Sequence, residues 1–290
     1  MYERILVPLD GSELAEQVIP YVEELAKSLN SEVILITVCL SGAPMERALT
    51  EYIERRAEKL QSLGIKTRSV CIEGEPATSI IDFAGKNDVS LIVISTHGRT
   101  GIGHWPLGSI ASKVVQRSHI PVFLVRSGQL ATAAADKKLQ KILVTLDGSR
   151  FAEAIILYVE RLAKAMSSEV VLARVIEPVR LPHLAAYRER EKYEQEYMAK
   201  LEREAKRYLS RKKSPLGARG IKVNLVLRQG KPAETIIQYA EDKSVNLIAL
   251  TTHGFSGITK WAYGSVASRI IEGSSKPVLL VRPPLPASQT

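Results

Sequence analysis

The sequence predicts an α/β protein of two tandem lobes, each built on a doubly wound, five-stranded parallel sheet. Three observations support this prediction. The chain repeats itself, β-rich runs alternate with amphipathic runs in each copy, and the fourth and fifth β-rich runs are apolar throughout. A length of 290 residues suffices for two ordinary hydrophobic cores. Hydrophobic residues at 45% and charged residues at 24% are ordinary proportions for a globular protein.

The repeat is the duplication of a whole domain rather than a short solenoid repeat. Residues Arg4–Val38 align without a gap on Lys141–Val175, and 21 of the 35 positions are identical. Later landmarks match at an offset of 156 instead of 137, namely Gly74, Gly98, Gly108 and Pro121 with Gly230, Gly254, Gly264 and Pro277. The sequence therefore predicts lobe 1 at 1–127, a linker at 128–138, lobe 2 at 139–283 and a tail at 284–290. A long basic helix, inserted at about 178–218, accounts for the extra residues.

Within each copy the strands and helices follow from hydrophobic periodicity. The predicted strands of lobe 1 are Arg4–Val7, Glu32–Val38, Lys66–Ile72, Leu91–Thr96 and Pro121–Val125. The predicted helices are one whose apolar stripe runs from Leu14 to Leu29, then Met45–Leu63, Ala77–Asn87 and Gly108–Arg117. Five strands alternating with four helices indicate a parallel sheet covered on both faces, and lobe 2 repeats the order.

The formal charge of +9 raises the question of nucleic-acid binding. Between Ala186 and Lys222, twelve Lys and Arg residues accompany six Glu residues. This segment predicts a long helix, Tyr187 to Arg211, which ends at a basic triplet and a Pro/Gly break. Pairs such as Glu196 and Lys200 have the i,i+4 order that stabilises a solvated helix, and interleaved stacking aromatics are not evident. A solvated helix is therefore the preferred interpretation over a nucleic-acid surface.

Composition also predicts the compartment. No apolar run approaches the roughly 20 residues that span a bilayer, and the N-terminus shows no signal-peptide pattern. The two cysteines, Cys39 and Cys71, lie in apolar strand-like runs and indicate buried thiols in a reducing cytoplasm rather than a disulfide framework or a zinc site.

The first candidate functional turn follows the first strand of each lobe. Its sequence is Asp10-Gly11-Ser12 in lobe 1 and Asp147-Gly148-Ser149 in lobe 2. An acidic residue at the carboxyl end of a strand suits a ligand hydroxyl or amine. The structural alternative is a βα turn in which Gly permits the bend and Ser caps the helix.

The second candidate turn follows the fourth strand and is rich in glycine. Lobe 1 has Ser95–Gly101 followed by Gly108-Ser109-Ile110, and lobe 2 has Thr251–Gly257 followed by Gly264-Ser265-Val266. Glycines let main-chain N–H groups approach an anion, and a helix start favours phosphate. The same internal spacing in both copies strengthens the prediction of a phosphate site.

These motifs resemble those of the universal stress protein family over almost the full length of both lobes. The matching pieces are the Asp-Gly-Ser turns, Gly74–Ala77 and Gly230–Ala233, Thr-His-Gly after the fourth strand, and Gly-Ser ahead of the fifth. The ATP-binding branch of that family carries Gly-x2-Gly-x9-Gly-Ser/Thr. Here Ser95 and Thr251 replace the first Gly, and their side chains either narrow the nucleoside cleft or donate a hydrogen bond to its ligand.

The resemblance implies an adenine nucleotide alpha hydrolase-like fold with strand order 3-2-1-4-5 and a ligand crevice between strands one and four. It implies ATP, AMP or ADP as ligand, with Mg²⁺ as a candidate companion ion. Aspartates would hold the nucleoside, valines would pack on adenine, and the Gly/Ser residues would take the phosphates. The implied binding residues are Pro8, Asp10, Val38, Ser95, His97, Gly98, Arg99, Gly101, Gly108, Ser109 and Ile110 in lobe 1, and Asp147, Val175, Thr251, His253, Gly254, Gly257, Gly264, Ser265 and Val266 in lobe 2.

The resemblance further implies a stress-response or signalling module that acts through protein partners, with at most slow ATP hydrolysis. Two alternatives remain, an ATP-using enzyme of the same fold and a nucleotide-free scaffold. His97 and His253 are interpreted as loop-fixing residues, because no nucleophile is placed for activation.

We also expect the lobes to pair through their fifth strands as an internal pseudo-dimer, because these apolar edges would otherwise be open. A homodimer of the full chain is a further candidate. Lobe 1 is expected to bind nucleotide more tightly, because Arg99 stands where lobe 2 has Phe255.

Overall fold

The computed structural model describes residues 1–39, 44–98, 107–128, 139–178, 190–253 and 264–283. The strands of lobe 1 are β1 (Arg4–Pro8), β2 (Glu32–Cys39), β3 (Thr67–Glu73), β4 (Leu91–Ser95) and β5 (Val122–Val125). Its helices are α1 (Glu13–Glu16), α2 (Ile19–Leu29), α3 (Pro44–Ser62), α4 (Pro76–Lys86) and α5 (Ser109–Arg117). Each predicted strand of lobe 1 is present, with bounds that differ by at most one residue at either end.

Lobe 2 repeats this order of elements. Its strands are β6 (Lys141–Thr145), β7 (Glu169–Ile176), β8 (Val223–Gln229), β9 (Leu247–Thr251) and β10 (Val278–Val281). Its helices are α6 (Arg150–Glu153), α7 (Ile155–Met166), α8 (Arg190–Ala218), α9 (Pro232–Asp242) and α10 (Ser265–Gly273).

One ten-stranded sheet runs through both lobes in the order β3-β2-β1-β4-β5-β10-β9-β6-β7-β8. All ladders within a lobe are parallel. The predicted fold class and the strand order 3-2-1-4-5 are therefore confirmed in both copies. The order reverses between β1 and β4 in lobe 1, and between β6 and β9 in lobe 2, and these are the positions where open parallel sheets bind ligands.

The two lobes join through their fifth strands, as the sequence predicts. Strands β5 and β10 pair antiparallel, with Val122 opposite Leu280 and Leu124 opposite Val278. All residues of both strands are buried. The pairing removes two apolar edges that would otherwise be open to another chain.

A pair of equivalent arginines brackets this junction. Arg126 Nη1 donates to the carbonyl oxygens of Glu272 (2.8 Å) and Ser274 (3.0 Å), at the end of α10. Arg282 Nη1 donates to the carbonyl oxygen of Gln116 (3.2 Å), near the end of α5. Each arginine thus binds the helix end of the opposite lobe, as in a two-fold dimer fused into one chain.

The sheet is covered by two apolar layers, because alternate residues of each strand point to opposite faces. On β1, Ile5 and Val7 face the layer formed by α2, α3, α7 and α8, and Leu6 faces the layer formed by α4, α5, α9 and α10. Each layer is continuous across both lobes. Across the described residues, no helix has both the length and the apolar character that crossing a bilayer requires.

The prediction of a single first helix in each lobe is wrong. Helix α1 ends at Glu16 and α2 starts at Ile19, with Pro20 in the first turn of α2, where its missing N–H is tolerated. The same break lies at Ala154 between α6 and α7, where Leu157 stands in place of Pro20. Proline is therefore compatible with the break but not required for it.

The predicted end of the long basic helix at the Pro/Gly break is also wrong. Helix α8 continues through Pro215 to Ala218. The last turn buries Leu216, which is 2% exposed and belongs to the core layer of the lobe. Burial of this side chain stabilises a turn that local sequence preference disfavours.

Candidate functional site

Each lobe has a cleft at the carboxyl ends of the strands where the sheet order reverses. The lobe 1 cleft has a volume of about 390 Å³ and the lobe 2 cleft about 230 Å³. Both lie between the Asp-Gly-Ser turn and the first turn of the helix that precedes the fifth strand, α5 or α10. The structure thus brings together the two turns that the sequence singles out.

In lobe 1 the described residues that the sequence predicts all line the cleft. They are Pro8, Asp10, Val38, Ser95, His97, Gly98, Gly108, Ser109 and Ile110. The prediction missed further lining residues, which are Leu9, Ala15, Ile36, Cys39, Leu49, Pro76, Ile80, Ile94, Thr96 and Ala111. Pro76 belongs to the duplicated Gly-x-Pro-Ala motif, so the repeat carried a signal for it. Thr96 belongs to the duplicated Thr-His-Gly motif, so the repeat carried a signal for it as well. The others are apolar positions that the prediction did not single out.

In lobe 2 most of the described residues that the sequence predicts also line the cleft. The predicted residues that line the cleft are Asp147, Val175, Thr251, Gly264, Ser265 and Val266. His253 is buried but is not among the described residues of the lining. The missed ones are Thr145, Leu146, Ala152, Ala173, Pro232, Ile236, Leu250, Thr252 and Ala267. The predicted residues Arg99, Gly101, Gly254 and Gly257 lie outside the described residues, as does Phe255.

The Asp-Gly-Ser turn of lobe 1 is a βα turn with a serine cap, and it also places an aspartate at the cleft. Gly11 has φ 84°, which favours glycine, and Ser12 caps α1 by accepting from Ala15 N at 3.1 Å. Asp10 Oδ1 accepts from Ser12 N (3.0 Å) and Ser12 Oγ (2.6 Å). One carboxylate oxygen therefore holds the turn, which fixes the carboxyl group at the edge of the cleft.

Lobe 2 repeats this turn. Asp147 Oδ1 accepts from Ser149 N at 2.8 Å, and Ser149 Oγ accepts from Ala152 N at 3.1 Å. Gly148 has φ 95°. Both copies of the duplicated turn keep one geometry, which indicates a common requirement for the position of the aspartate.

Gly98 brings the second turn against the first in lobe 1. A methyl group at Gly98 would collide with Asp10 Oδ2. Only glycine therefore allows this approach without a shift of the aspartate. The contact joins the carboxyl ends of β1 and β4 across the crevice.

Ser95 and Thr251 do not offer their hydroxyl hydrogens to the cleft. Ser95 Oγ donates to His97 O at 2.7 Å, and Thr251 Oγ1 donates to His253 O at 2.7 Å. In this geometry each hydroxyl closes its own turn, so its hydrogen points to a main-chain oxygen rather than to the cleft. Both residues remain part of the cleft wall, so the alternative that they narrow the cleft stands.

His97 is held inside the turn on several sides. The ring nitrogen Nδ1 lies 3.1 Å from Thr96 Oγ1, and His97 N donates to Ser127 Oγ at 3.1 Å. Ser127 Oγ in turn donates to His97 O at 3.2 Å. These contacts agree with a loop-fixing role, since they tie the end of β4 to the residues after β5.

The helix α5 begins at the cleft with a glycine as its N-cap residue, and a glycine has no side chain that could cap the helix. Gly108 is its N-cap residue and Ser109 its first residue, and α10 begins in the same way at Gly264. Backbone N–H groups at such an uncapped end, with the positive end of the helix dipole, suit an anion. The two glycines differ in surroundings: a methyl group at Gly108 would lie 2.9 Å from Thr96 O, whereas one at Gly264 would lie 3.5 Å from Thr252 O.

Glu75 links the two helices that border the lobe 1 cleft. Its Oε2 accepts from Thr78 N at 2.8 Å and caps α4, and its Oε1 accepts from Lys113 Nζ of α5 at 2.9 Å. The hydrogen bonds from Thr78 and then Lys113 lower the pKa of Glu75 to about 2. Lys231 holds this position in lobe 2 and makes no side-chain cap.

Arg174 distinguishes the lobe 2 site, and sequence reasoning did not predict it. A methyl group at Gly148 would lie 2.9 Å from Arg174 Nη1, so the guanidinium packs on the Asp-Gly-Ser turn. The guanidinium also lies over the ring of Tyr208 on α8, with 5.4 Å from Cζ to the ring centroid. Thr37, at the equivalent position of lobe 1, carries no charge. The alignment of the copies shows this substitution, but only the fold places it beside the turn.

Both lobes match proteins of one known family. The sequence profile of the universal stress protein family matches residues 1–126 and 138–282. Universal stress protein MJ0531 of Methanocaldococcus jannaschii is 31% identical over 141 residues, which is 43% of this chain and 83% of that protein. Universal stress protein MJ0577 of the same organism is 31% identical over 153 residues, 49% of this chain and 94% of that protein.

Among solved structures, a universal stress protein from Archaeoglobus fulgidus matches both lobes at once. The TM-score is 0.72 at 20% identity, with 97% of this chain and 99% of that chain covered, so it supports the two-lobe fold alone. The curated relatives named above each match about one lobe. The chain therefore belongs to the universal stress protein family, as a member with two family domains in tandem.

Proposed function

We propose that each lobe binds an adenine nucleotide, namely ATP or the related AMP or ADP. The observation that carries this proposal is the lining of the lobe 1 cleft, which combines an apolar wall with the first residues of α5. Ile36 and Val38 form part of the apolar wall, and Gly108 and Ser109 form the helix start. A flat base suits the first environment and phosphate suits the second.

The residues present fit such a ligand. Asp10 would bind the ribose hydroxyls, because its carboxyl group is fixed at the cleft edge by Ser12. Val38 would pack on the base, and Ser109, which is exposed, would offer its hydroxyl to phosphate. Asp147, Val175 and Ser265 would take the same roles in lobe 2.

Mg²⁺ would accompany the nucleotide mainly through the phosphates. Over the described ranges, no group of three or more His, Cys, Asp or Glu side chains is arranged to hold a metal ion. Mg²⁺ in nucleotide sites commonly keeps several waters and uses only one or two carboxylates. The proposal therefore assigns the ion to the nucleotide rather than to a protein cage.

We further propose that lobe 1 binds more tightly than lobe 2. The larger cleft of lobe 1 supports this ranking, since about 390 Å³ compares with about 230 Å³. The difference in charge between Arg99 and Phe255 is part of the same proposal, although both lie outside the described residues. Arg174 opposes it, because it adds a cation next to the lobe 2 turn.

At the level of the cell, the proposal is a nucleotide-responsive stress or signalling module that acts through protein partners, with at most slow ATP hydrolysis. The proposed compartment is the cytoplasm, where free thiols such as Cys39 and Cys71 stay reduced. An ATP-using enzyme of the same fold is the second candidate, and it would require an acidic cluster beyond Asp10 and Asp147.

The test has two steps. Gently purified protein is denatured, and the released small molecules are identified by mass spectrometry; an adenine nucleotide is expected. ATP and adenosine are then titrated calorimetrically into the wild type and into Ser109→Ala. Loss of one hydrogen bond to a charged acceptor, about 1.5–3 kcal/mol, should weaken ATP and spare adenosine. Equal losses for both ligands would place the phosphates elsewhere.

A further inference from the structure

Two free thiols meet at the edge of the lobe 1 cleft. Cys39 ends β2 and lines the cleft, and Cys71 lies on the neighbouring strand β3. Their sulfur atoms are 2.6 Å apart, whereas a disulfide bond measures about 2.05 Å. Cys39 is 5% exposed, and Cys71 is partly exposed.

The pair is specific to lobe 1. The equivalent positions of lobe 2 are Ile176 and Leu227, which cannot form a disulfide. The duplication therefore supplies an internal control, since the rest of the strand pairing is the same in both lobes.

We propose that Cys39 and Cys71 form a reversible disulfide when the protein meets a hydroperoxide, and that this bond lowers the affinity of the lobe 1 cleft for its ligand. The second half of the proposal rests on the nucleotide-binding function proposed above, while the first half does not.

The chemistry balances with hydrogen peroxide as the oxidant. The sulfur of Cys71, the more exposed thiol, takes one oxygen from the peroxide to give a sulfenic acid and releases one water. The sulfur of Cys39 then attacks the sulfur of Cys71, and the hydroxide that leaves departs with the thiol proton as a second water. The two thiols lose two electrons, which reduce the O–O bond.

The surroundings of Cys39 disfavour its thiolate form. Burial and the hydrogen bond with Cys71 raise the pKa of Cys39 to about 12, and the carboxylates of Glu46 on α3 and Glu73 on β3 act in the same direction. Cys39 is therefore protonated at neutral pH. Since the thiolate is the nucleophile, formation of the disulfide should accelerate as the pH rises from 7 to 9.

The register of the strands explains why the bond should act on the cleft. Cys71 lies opposite Thr37, and Cys39 lies opposite Glu73, so the two cysteines are diagonal neighbours. The two sulfur atoms, now 2.6 Å apart, must approach to about 2.05 Å when the bond forms. Oxidation would therefore link the end of β2 covalently to β3 and restrict its position. Val38, the proposed base contact, directly precedes Cys39 and would be restricted with it.

The first arm of the test is chemical and needs no nucleotide. The full chain is treated with hydrogen peroxide, digested without reduction and analysed by mass spectrometry. A linked Cys39–Cys71 peptide that dithiothreitol releases is expected in the wild type, and none in Cys71→Ser or Cys71→Ala. Two thiols that stay titratable, or a Cys71 sulfinic acid with no linked peptide, would overturn the proposal.

The second arm measures the coupling. ATP is titrated into reduced and oxidised Gly264→Val protein, in which lobe 1 is the intact site, and oxidation should weaken binding by about 5-fold or more. The same oxidation should leave Gly108→Val protein, which keeps the lobe 2 site, unchanged. Equal affinities in both redox states of the Gly264→Val protein would overturn the coupling. Absence of ATP binding to the reduced protein would instead contradict the proposed function, while the linked peptide would still support the thiol pair.

Discussion

At the scale of single residues, equivalent positions of the two lobes have unequal surroundings. Gly108 and Gly264 align in sequence, yet the space for a side chain differs between them. At Gly108 a methyl group would press on the main-chain oxygen of Thr96, and a backbone atom cannot yield without shifting the turn. The duplicated motif therefore tolerates substitution differently in each lobe.

We accordingly predict that Gly108→Ala weakens ATP binding in lobe 1 more than Gly264→Ala weakens it in lobe 2. The methyl group would lie 2.9 Å from Thr96 O in the first case and 3.5 Å from Thr252 O in the second, which is ordinary contact. Calorimetric titration of both variants measures the two losses. A larger loss for Gly264→Ala would mean that the crowding at Gly108 has no part in ligand binding.

Glu75 gives a prediction about pH. Its pKa is lowered from 4.5 to about 2 in the folded chain by Thr78 and Lys113. Its contribution to stability is therefore fully present above the unfolded pKa and is lost as the pH falls through about 2. The difference in melting temperature between the wild type and Glu75→Gln should shrink between pH 5 and roughly pH 2.5. Glu58 is an exposed carboxylate on α3, and Glu58→Gln is the matched control. A melting-temperature difference between the wild type and Glu75→Gln that does not change with pH would contradict the role given to Glu75.

Sequence alone predicted much of the site but not all of it. Duplicated Gly, Asp and Ser residues identify both turns, because each is required by backbone geometry or by a cap. It could not assign the hydroxyls of Ser95 and Thr251, because their carbonyl acceptors become available only when the turn closes. Arg174 was missed because its partners, Gly148 and Tyr208, are distant in sequence.

At the scale of elements, helix ends follow tertiary packing as much as local signals. The bounds of β4 and β5 agree with the sequence because apolar runs buried on both faces have sharp limits. The break between α1 and α2 and the passage of α8 through Pro215 were not predicted. At the end of α8 the burial of Leu216 decides the outcome, and periodicity does not report burial.

Pro215 therefore lies in a helix that would be more stable without it. A proline inside a helix removes one hydrogen bond and crowds the preceding turn, at a cost of about 3 kcal/mol. Pro215→Ala should raise the free energy of unfolding by about 1–3 kcal/mol in urea titrations. Part of the gain is offset, because the unfolded chain has more conformational entropy without the proline. The exposed neighbour substitution Ser214→Ala is the control. A loss of stability in Pro215→Ala would show that the proline, rather than Leu216, secures the end of α8.

At the scale of the whole molecule, the two lobes form a single sheet and two continuous apolar layers. Tyr2 extends this union, since its hydroxyl donates to Tyr158 O on α7 at 3.2 Å. The sequence predicted the pairing of the fifth strands because both are apolar edges. It did not predict the arginine contacts, because main-chain acceptors at helix ends leave no mark in sequence.

The contacts of Arg126 and Arg282 across the junction should stabilise the association of the two lobes. Arg126→Ala should lower the free energy of unfolding by about 1–3 kcal/mol, since a charged donor to two carbonyls is lost. Arg282→Ala, which loses one bond, should cost less. Urea titration of each variant beside Arg117→Ala, an exposed arginine on α5, measures this. Equal effects for Arg126→Ala and Arg117→Ala would contradict a specific role at the junction.

The central claim is that both clefts bind an adenine nucleotide and that lobe 1 binds it more tightly. It is tested most directly by titrating ATP into the wild type, Gly108→Val, Gly264→Val and the double variant. We predict two sites in the wild type, tighter residual binding in Gly264→Val than in Gly108→Val, and no binding in the double variant. Binding that survives in the double variant would contradict the assignment of the clefts, and tighter residual binding in Gly108→Val would reverse the ranking of the lobes.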